Sequence, residues 1–170
     1  MIHVRKASLK DADQIVQVCV EAQYHTYKGL IPPNFIEKTI REFYVKERIE
    51  QEIKTTSQDW NGWFVAVDDE TETIVGAGGG GFIAQDVSEL FVLYLEPTRK
   101  REGIGTQLLE AITAEQIERG AKEQWVSVLK NNRMGIPFYE AVGFVYQGEE
   151  LAHGYPSEIG LKSLRYKRHL

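Results

Sequence analysis

A glycine-containing segment at residues 100–106 carries the residue types that bind phosphate. Gly103 and Gly105 permit a tight turn with close backbone approach, while Lys100 and Arg101 add positive charge. An apolar run precedes the segment and an amphipathic helix follows it, so that backbone N–H groups would converge at the positive end of a helix dipole. The segment thus predicts a site that binds an anion. For this loop taken alone, the alternative interpretation is an ordinary glycine turn before a helix.

Two other nucleotide-binding interpretations are disfavoured by the sequence. No Gly-Lys-Ser/Thr ending follows Gly105, so the loop lacks the lysine by which a kinase or ATPase reaches a terminal phosphate. Residues 76–81 have the spacing of a dinucleotide fingerprint, but Phe82 and its neighbours continue a strand where that fingerprint needs a helix. We interpret residues 76–81 as a glycine-rich strand that bulges, bends or lets another chain or ligand approach its backbone.

The elements that must position the loop follow from the period of the apolar residues. Residues 89–95 are an almost unbroken apolar run, which predicts a strand buried on both faces at the centre of the sheet. Before this strand, the predicted elements are a strand at residues 2–4, a helix capped by Ser8 that ends near Tyr27, a helix capped by Asn34 that includes Ile49, and a hairpin of strands at 63–67 and from 74 onward. After it, they are a helix from 104 to about 120, a strand at 125–129, a short helix at 138–142, a strand from 144 and a last strand at 161–169.

Composition bounds the class of protein. A chain of 170 residues with 42% hydrophobic residues can bury one ordinary core, so we expect one domain over residues 1–170. The net charge of −5 comes from interspersed charges without a broad cationic face, which disfavours nucleic acid as a partner. The single cysteine excludes a disulfide framework, and no apolar run is long enough to cross a membrane. We therefore expect a cytoplasmic protein without a membrane partner.

Three motifs, in a fixed order, connect the loop to its surroundings. They are the run from Glu89 to Pro97, the pattern Lys100-x-x-Gly103-x-Gly105, and Asn132 followed by Phe-Tyr-Glu-Ala-Val-Gly-Phe at residues 138–144. Together they resemble the motifs of the GCN5-related N-acetyltransferase (GNAT) family. Segments at residues 5–12, 26–32 and 164–166 are also similar to members of this family, so that the resemblance covers essentially the whole chain. Lys100 and Gly135 depart from the residues that the family usually has at these positions, but neither change argues against the binding of acyl-CoA.

The resemblance implies an α/β (α+β) fold, a mixed twisted sheet of six or seven strands with helices on both faces. The sheet would splay between the strand ending at Leu95 and the strand beginning near Trp125, and acetyl-CoA would lie in the opening. Its pantetheine arm would pair with the backbone of Leu93 and Leu95 like an added strand, while Asn132 binds it from the other side. The pyrophosphate would rest on the backbone of Arg101, Glu102, Gly103, Ile104, Gly105 and Thr106, beside the charge of Lys100.

The resemblance also implies chemical roles. A primary amine would attack the thioester directly, a backbone N–H on the central strand would stabilise the oxyanion, and a tyrosine would protonate the departing thiolate. We assign these last roles to Leu95 and Tyr139. Because the reference pKa of a phenol, about 10, is close to that of an alkyl thiol, the proton transfer would be nearly thermoneutral.

The acceptor side is less defined by the sequence. Glu89 is the candidate base for deprotonating the incoming ammonium, with Glu96 as second choice. His25, Tyr27 and His153 fall in segments that would border the acceptor. The acidic residues Glu149, Glu150 and Glu158 either favour a cationic amine such as a polyamine or are simply solvated charges.

The resulting hypothesis is an N-acetyltransferase that uses acetyl-CoA, without a metal, to acetylate a small-molecule, polyamine-like or peptide amine in a ternary complex. The alternative is a non-catalytic acyl-CoA-binding module of the same fold, for sensing or assembly. A homodimer is possible, because the strand at residues 161–169, if it lies at an edge, could pair with a second subunit or end in water.

Overall fold

Seven strands form one sheet in the computed structural model, which describes residues 1–99 and 101–170. The spatial order is β1-β2-β3-β4-β5-β7-β6, and every neighbouring pair is antiparallel except β4 and β5, which run parallel. The strands are β1 (Ile2–Lys6), β2 (Trp63–Asp68), β3 (Thr73–Ala84), β4 (Val87–Leu95), β5 (Glu123–Leu129), β6 (Val145–Leu151) and β7 (Lys162–His169).

Five α-helices in the described residues cover the two faces of this sheet. Their bounds are α1 (Ala12–Tyr27), α2 (Pro33–Phe43), α3 (Lys46–Lys54), α4 (Ile104–Glu118) and α5 (Gly135–Ala141). α1 and α3 bury residues such as Ile15 and Ile49 against one face, and α4 and α5 bury Leu108 and Tyr139 against the other. In the part of the chain that the structure describes, no helix combines the length and apolar character needed to span a membrane.

The glycine run lies inside β3, as the sequence indicates. A Cβ at Gly80 would stand 2.1 Å from the carbonyl oxygen of Glu89, and one at Gly81 would stand 1.8 Å from the carbonyl oxygen of Asp59. Neither position therefore accepts a side chain, because the neighbouring backbone occupies that space. The interpretation of residues 76–81 as a strand is confirmed, and the extra residue opposite Gly79 and Gly80 belongs to β4.

The sheet splays where β4 and β5 part. The two strands pair over four residues, from Val87 opposite Glu123 to Leu90 opposite Val126, and then separate. At this point Phe91 is an extra residue of β4, because Leu90 pairs with Gly80 and the following pair joins Val92 to Gly79. Such a bulge increases the local bend of a strand. The extra residue of β4 therefore coincides with the point at which β4 and β5 separate.

Several sequence expectations were wrong. The helix predicted through Ile49 breaks at Tyr44 into α2 and α3, because Tyr44 leaves the helical conformation at φ −115° and ψ 53°. α2 begins at Pro33 and not after an Asn34 cap, since proline is well suited to the first helical position.

The sheet positions of two strands also differ from expectation. β4 is not buried on both faces, because the splay leaves Phe91 47% exposed. β7 is an interior strand between β5 and β6, so its backbone is already paired on both sides and the proposed pairing with a second subunit there is excluded. Long-range pairing of this kind is not visible in the local period of the sequence.

Candidate active site

A cleft of about 730 Å³ occupies the opening between β4 and β5. Its walls come from the end of α1, the second half of β4, the loop before α4, the end of β5 and the first turn of α5. The predicted residues that line it are His25, Tyr27, Leu93, Leu95, Glu96, Arg101, Gly103, Ile104, Gly105, Thr106, Asn132 and Tyr139. The structure thus brings most of the sequence-predicted site together.

The backbone of β4 offers hydrogen-bonding groups to the cleft. The N–H of Glu96 donates to the carbonyl of Val75 on β3 at 2.9 Å. Because successive N–H groups of a strand point to opposite sides, the N–H and C=O groups of Leu93 and Leu95 point away from β3, into the opening. An extended ligand with amide groups can therefore pair with these two residues.

The loop before α4 is shaped for an anion. Gly103 precedes the helix with a left-handed φ of 77°, and Arg101 also has a positive φ, of 65°. The first N–H groups of a helix have no partner within the helix, and Gly103 has no side chain with which to cap them. The residues around Gly105 therefore present backbone donors and a helix dipole to the cleft.

The acidic residue of this loop is balanced by a neighbouring guanidinium. Arg99 donates to both carboxylate oxygens of Glu102, at 2.8 and 2.9 Å, and to Asp68 at 2.9 Å. These hydrogen bonds lower the pKa of Glu102, so the carboxylate stays ionised beside Arg99. Lys100 and the side chain of Glu158, both named as candidates from the sequence, lie outside the described residues.

Asn132 joins the cleft to α5. Its side-chain oxygen accepts hydrogen bonds from the N–H groups of Met134 at 3.2 Å and Gly135 at 3.0 Å, which fixes the start of that helix. A Cβ at Gly135 would come within 2.8 Å of the Asn132 side-chain nitrogen. The glycine at this position thus gives Asn132 the space it needs to line the cleft.

Tyr139 lies on α5 and is only 9% exposed. Its ring packs edge-on against Phe138 and Phe144, with centroids 5.1 and 5.5 Å away, while the residue also lines the cleft. Burial raises the pKa of the Tyr139 phenol above its ordinary value. The expected match to a thiol in water therefore does not hold, and the phenol keeps its proton more tightly than a free tyrosine.

The cleft is also lined by a tyrosine that was not predicted from the sequence. Tyr94 lines the cleft beside Tyr27, and its hydroxyl donates to the side-chain oxygen of the buried Gln23 at 2.7 Å. Burial raises the pKa of Tyr27, and a hydrogen bond with Tyr94 partly offsets the effect. Tyr94 alternates with Leu93 and Leu95 along β4, and this alternation is the signal that places it on the opposite face of the strand.

Three of the predicted site residues, Glu89, Glu102 and His153, do not line the cleft in the described structure. Both oxygens of Glu89 accept hydrogen bonds from Arg165, each at 2.9 Å. Arg165 also donates to Ser127 at 2.7 Å and lies 4.9 Å from the centre of the Trp125 ring. No role for Arg165 was predicted, because Glu89 lies 76 positions away in the chain and the two meet only when β5 pairs with both β4 and β7.

The other acidic candidates have partners of their own. Glu96 lines the cleft near its loop end and accepts a hydrogen bond from Thr98 at 2.9 Å. Glu149 forms an ion pair with Lys130 at 3.0 Å. Within residues 1–99 and 101–170, no three His, Cys, Asp or Glu side chains gather as a metal site requires. Glu89 and Glu149 are therefore paired with cations of the protein, whereas Glu96 accepts from a neutral hydroxyl.

A sheet that parts beside a glycine loop at a helix N-terminus is the architecture of an acyl-CoA-dependent N-acyltransferase. The family model described as Acetyltransferase (GNAT) family matches residues 27–144. The chain belongs to this family, and its activity is acetyl-CoA-dependent N-acetylation.

Relatives of known name agree with this class. The chain is 32% identical over 145 residues to spermidine N(1)-acetyltransferase of Thermoplasma acidophilum, covering 84% of this chain and 88% of that protein. It is 29% identical over 180 residues to the uncharacterized N-acetyltransferase YuaI of Bacillus subtilis, covering 96% and 98%. A shorter match, 34% over 62 residues, covers 36% of this chain and 42% of the [ribosomal protein bS18]-alanine N-acetyltransferase of Escherichia coli.

A solved structure that resembles this chain over its whole length contains coenzyme A. PaiA N-acetyltransferase of Thermoplasma acidophilum, in complex with coenzyme A, superposes with a TM-score of 0.84 at 28% identity and covers 100% of this chain and 99% of that one. The fold of the chain is therefore that of a protein crystallised with coenzyme A.

Proposed function

We propose that this protein transfers an acetyl group from acetyl-CoA to a primary amine of a small cationic molecule of the polyamine class, within a ternary complex. The observation that carries the proposal is the convergence of three groups on one cleft: the β4 backbone at Leu93 and Leu95, the start of α4, and Tyr139. The name of the Thermoplasma relative, a spermidine N(1)-acetyltransferase, supports the acceptor class.

The cofactor would lie along the cleft with its two ends fixed by different groups. The pyrophosphate would rest on the backbone of residues 101–106, where Gly103 opens the helix N-terminus to an anion. The pantetheine amides would pair with the C=O and N–H groups of Leu93 and Leu95, as a strand added to β4. Asn132 would bind the same arm through its amide nitrogen, since its oxygen is engaged with the start of α5.

The reaction then requires attack of the amine on the thioester, a proton for the departing thiolate and the loss of a proton from the nitrogen. The neutral amine attacks the carbonyl carbon, and the N–H of Leu95 stabilises the oxyanion that forms. The carbon–sulfur bond breaks as the thiolate takes the proton of Tyr139. The nitrogen releases one proton to solvent, and the tyrosinate takes one proton back from solvent, which restores the phenol. Because burial raises the pKa of Tyr139, the phenol still holds its proton when the thiolate develops beside it.

Glu89 has a different role in this proposal from the direct base expected from the sequence. Both of its oxygens already accept from Arg165, so it cannot take a proton from the amine without losing that pair. We assign to Glu89 and Arg165 the shaping of the acceptor side, together with Trp125 beneath the guanidinium. His25 and Tyr27, at the end of α1, would contact the acceptor from the cleft.

The test is a thiol-release assay with acetyl-CoA and a set of amines. The set comprises spermidine, spermine, a peptide with an N-terminal alanine, and a tertiary amine of similar charge as control. The proposal expects coenzyme A release with the polyamines and none with the tertiary amine, which cannot form a stable amide. Release with the peptide alone would replace the polyamine class by a protein acceptor.

A further inference from the structure

Two glutamines are fully buried beneath the point where β4 and β5 part. Gln116 on α4 and Gln124 on β5 are both 0% exposed. A buried amide costs free energy unless its donors and acceptors are paired, so such residues are retained where their hydrogen bonds define a position.

The two amides belong to a chain of hydrogen bonds that crosses the core. Gln124 donates from its side-chain nitrogen to the side-chain oxygen of Gln116 at 2.8 Å and to Thr113 at 3.0 Å. Gln116 donates in turn to the backbone carbonyl of Glu89 at 3.1 Å. At the other end, Arg168 donates to the side-chain oxygen of Gln124 at 2.9 Å.

The first end of this chain holds β4 just before its bulge. Glu89 precedes Leu90, the last β4 residue that pairs with β5. Space for the contact exists only because residue 80 is glycine, since a Cβ there would lie 2.7 Å from the Gln116 nitrogen and 2.1 Å from the Glu89 carbonyl oxygen. Gln116 therefore fixes the backbone from which Leu93 and Leu95 continue into the cleft.

The second end of the chain holds the helix that carries Tyr139. Arg168 donates to the carbonyl of Val142, which directly follows α5, at 2.8 Å, and its guanidinium lies 4.7 Å from the centre of the Phe144 ring. The same Phe144 ring packs against Tyr139. Strand β4 and helix α5 are thus linked by one continuous network, which is buried at its two glutamines and half-buried at Arg168.

We propose that Gln116, Gln124 and Arg168 are positioning residues that set the distance between the oxyanion donor on β4 and the proton donor Tyr139 on α5. This inference rests on the proposed function. None of the three lines the cleft, so they act through the backbone of Glu89 and of Val142. Small errors in such a distance are costly, because a displacement of about 1 Å can lower a rate on the order of a hundredfold.

The experiment compares Gln116→Glu with Gln107→Glu. Glu at position 116 has nearly the same shape and can still accept from Gln124, but it has no N–H for the carbonyl of Glu89. Gln107 lies on the same helix with an exposed side chain, so it receives the same change in charge without touching the network. For both variants we would measure kcat, the Kd for acetyl-CoA, and amide hydrogen exchange by mass spectrometry.

The expected result is a kcat for Gln116→Glu lower by about tenfold to a hundredfold, with the Kd for acetyl-CoA changed by less than about threefold. Amide exchange in a peptide covering residues 89–95 should rise, while that of α1 stays as in Gln107→Glu. Uniformly faster exchange with an unchanged kcat per folded molecule would show a merely structural role and overturn the proposal. Unchanged exchange at residues 89–95 would overturn it as well.

The two proposals fail in different ways. If the wild-type protein and Gln107→Glu both lacked turnover, the proposed function would be wrong, while the exchange measurement would still decide whether Gln116 holds β4. A second variant, Arg168→Lys, keeps the charge but loses the forked contact with Gln124 and Val142. Arg168→Lys should also lower kcat, and a kcat equal to that of the wild-type protein would contradict the link to α5.

Discussion

Arg165 holds Glu89 through two parallel hydrogen bonds, each 2.9 Å long, across the intervening strand β5. Paired guanidinium and carboxylate groups of this geometry are among the stronger hydrogen-bonded contacts in proteins. The side chains of Arg165 and Glu89 are only 19% and 13% exposed. The carboxylate that the sequence suggested as a base is therefore a partner of the protein's own cation.

Replacing Glu89 by Gln should mainly affect acceptor binding. The amide keeps the shape of the side chain but loses the charge that orients Arg165 over Trp125. We expect the KM for the amine to rise several-fold while kcat changes by less than about tenfold, since loss of a general base usually costs a hundredfold or more. Glu110→Gln, on an exposed position of α4, is the control. A drop in kcat of a hundredfold with an unchanged KM would establish Glu89 as the base.

Tyr139→Phe tests the assignment of the proton donor. The ring contacts with Phe138 and Phe144 remain, so the fold and the binding of acetyl-CoA should be preserved. We expect kcat to fall by about a hundredfold. Tyr24→Phe, which removes an exposed hydroxyl on α1, should leave the rate unchanged. Equal rates for the two variants would mean that the thiolate leaves without help from Tyr139.

The raised pKa of Tyr139 has a consequence for the pH profile. A phenol whose pKa lies above its ordinary value of about 10 stays protonated, and so remains able to donate, throughout the range below pH 10. The neutral fraction of the acceptor amine grows over the same range. We therefore expect kcat/KM to rise with pH and to show no decline below about pH 10. A decline near pH 8 that disappears in Tyr139→Phe would contradict this assignment.

Gly103→Ala tests the anion site at the start of α4. The position has a φ of 77° and no atom within 4 Å of an added Cβ, so the change adds backbone strain without a clash. Gly120, just beyond the other end of α4, has a φ of 102° and equally open surroundings. Alanine at either position should lower the free energy of unfolding by about 1 kcal/mol. Only Gly103→Ala should also raise the Kd for acetyl-CoA, as isothermal titration would show.

The parts of the site that the sequence predicted are those in which chemistry and local structure coincide. Gly103 directly precedes a helical period and Gly105 lies in its first turn, while Leu93 and Leu95 stand on one strand, so that local spacing places them. Arg165 and the Gln116–Gln124 pair were not predicted, because they reach their partners only after β5 has paired with β7 and α4 has packed on the sheet. The break at Tyr44 was missed for a similar reason, since the apolar stripe continues across it.

The central claim is that the cleft transfers acetyl groups and does not merely hold the cofactor. The most direct measurement follows coenzyme A release and the mass of the amine product together, with acetyl-CoA and spermidine as substrates. We predict one coenzyme A for each acetyl group on a primary nitrogen, at a rate that depends on both substrates. Thermal stabilisation by acetyl-CoA, with no release of coenzyme A for any amine in the set, would contradict the account and identify a binding module instead.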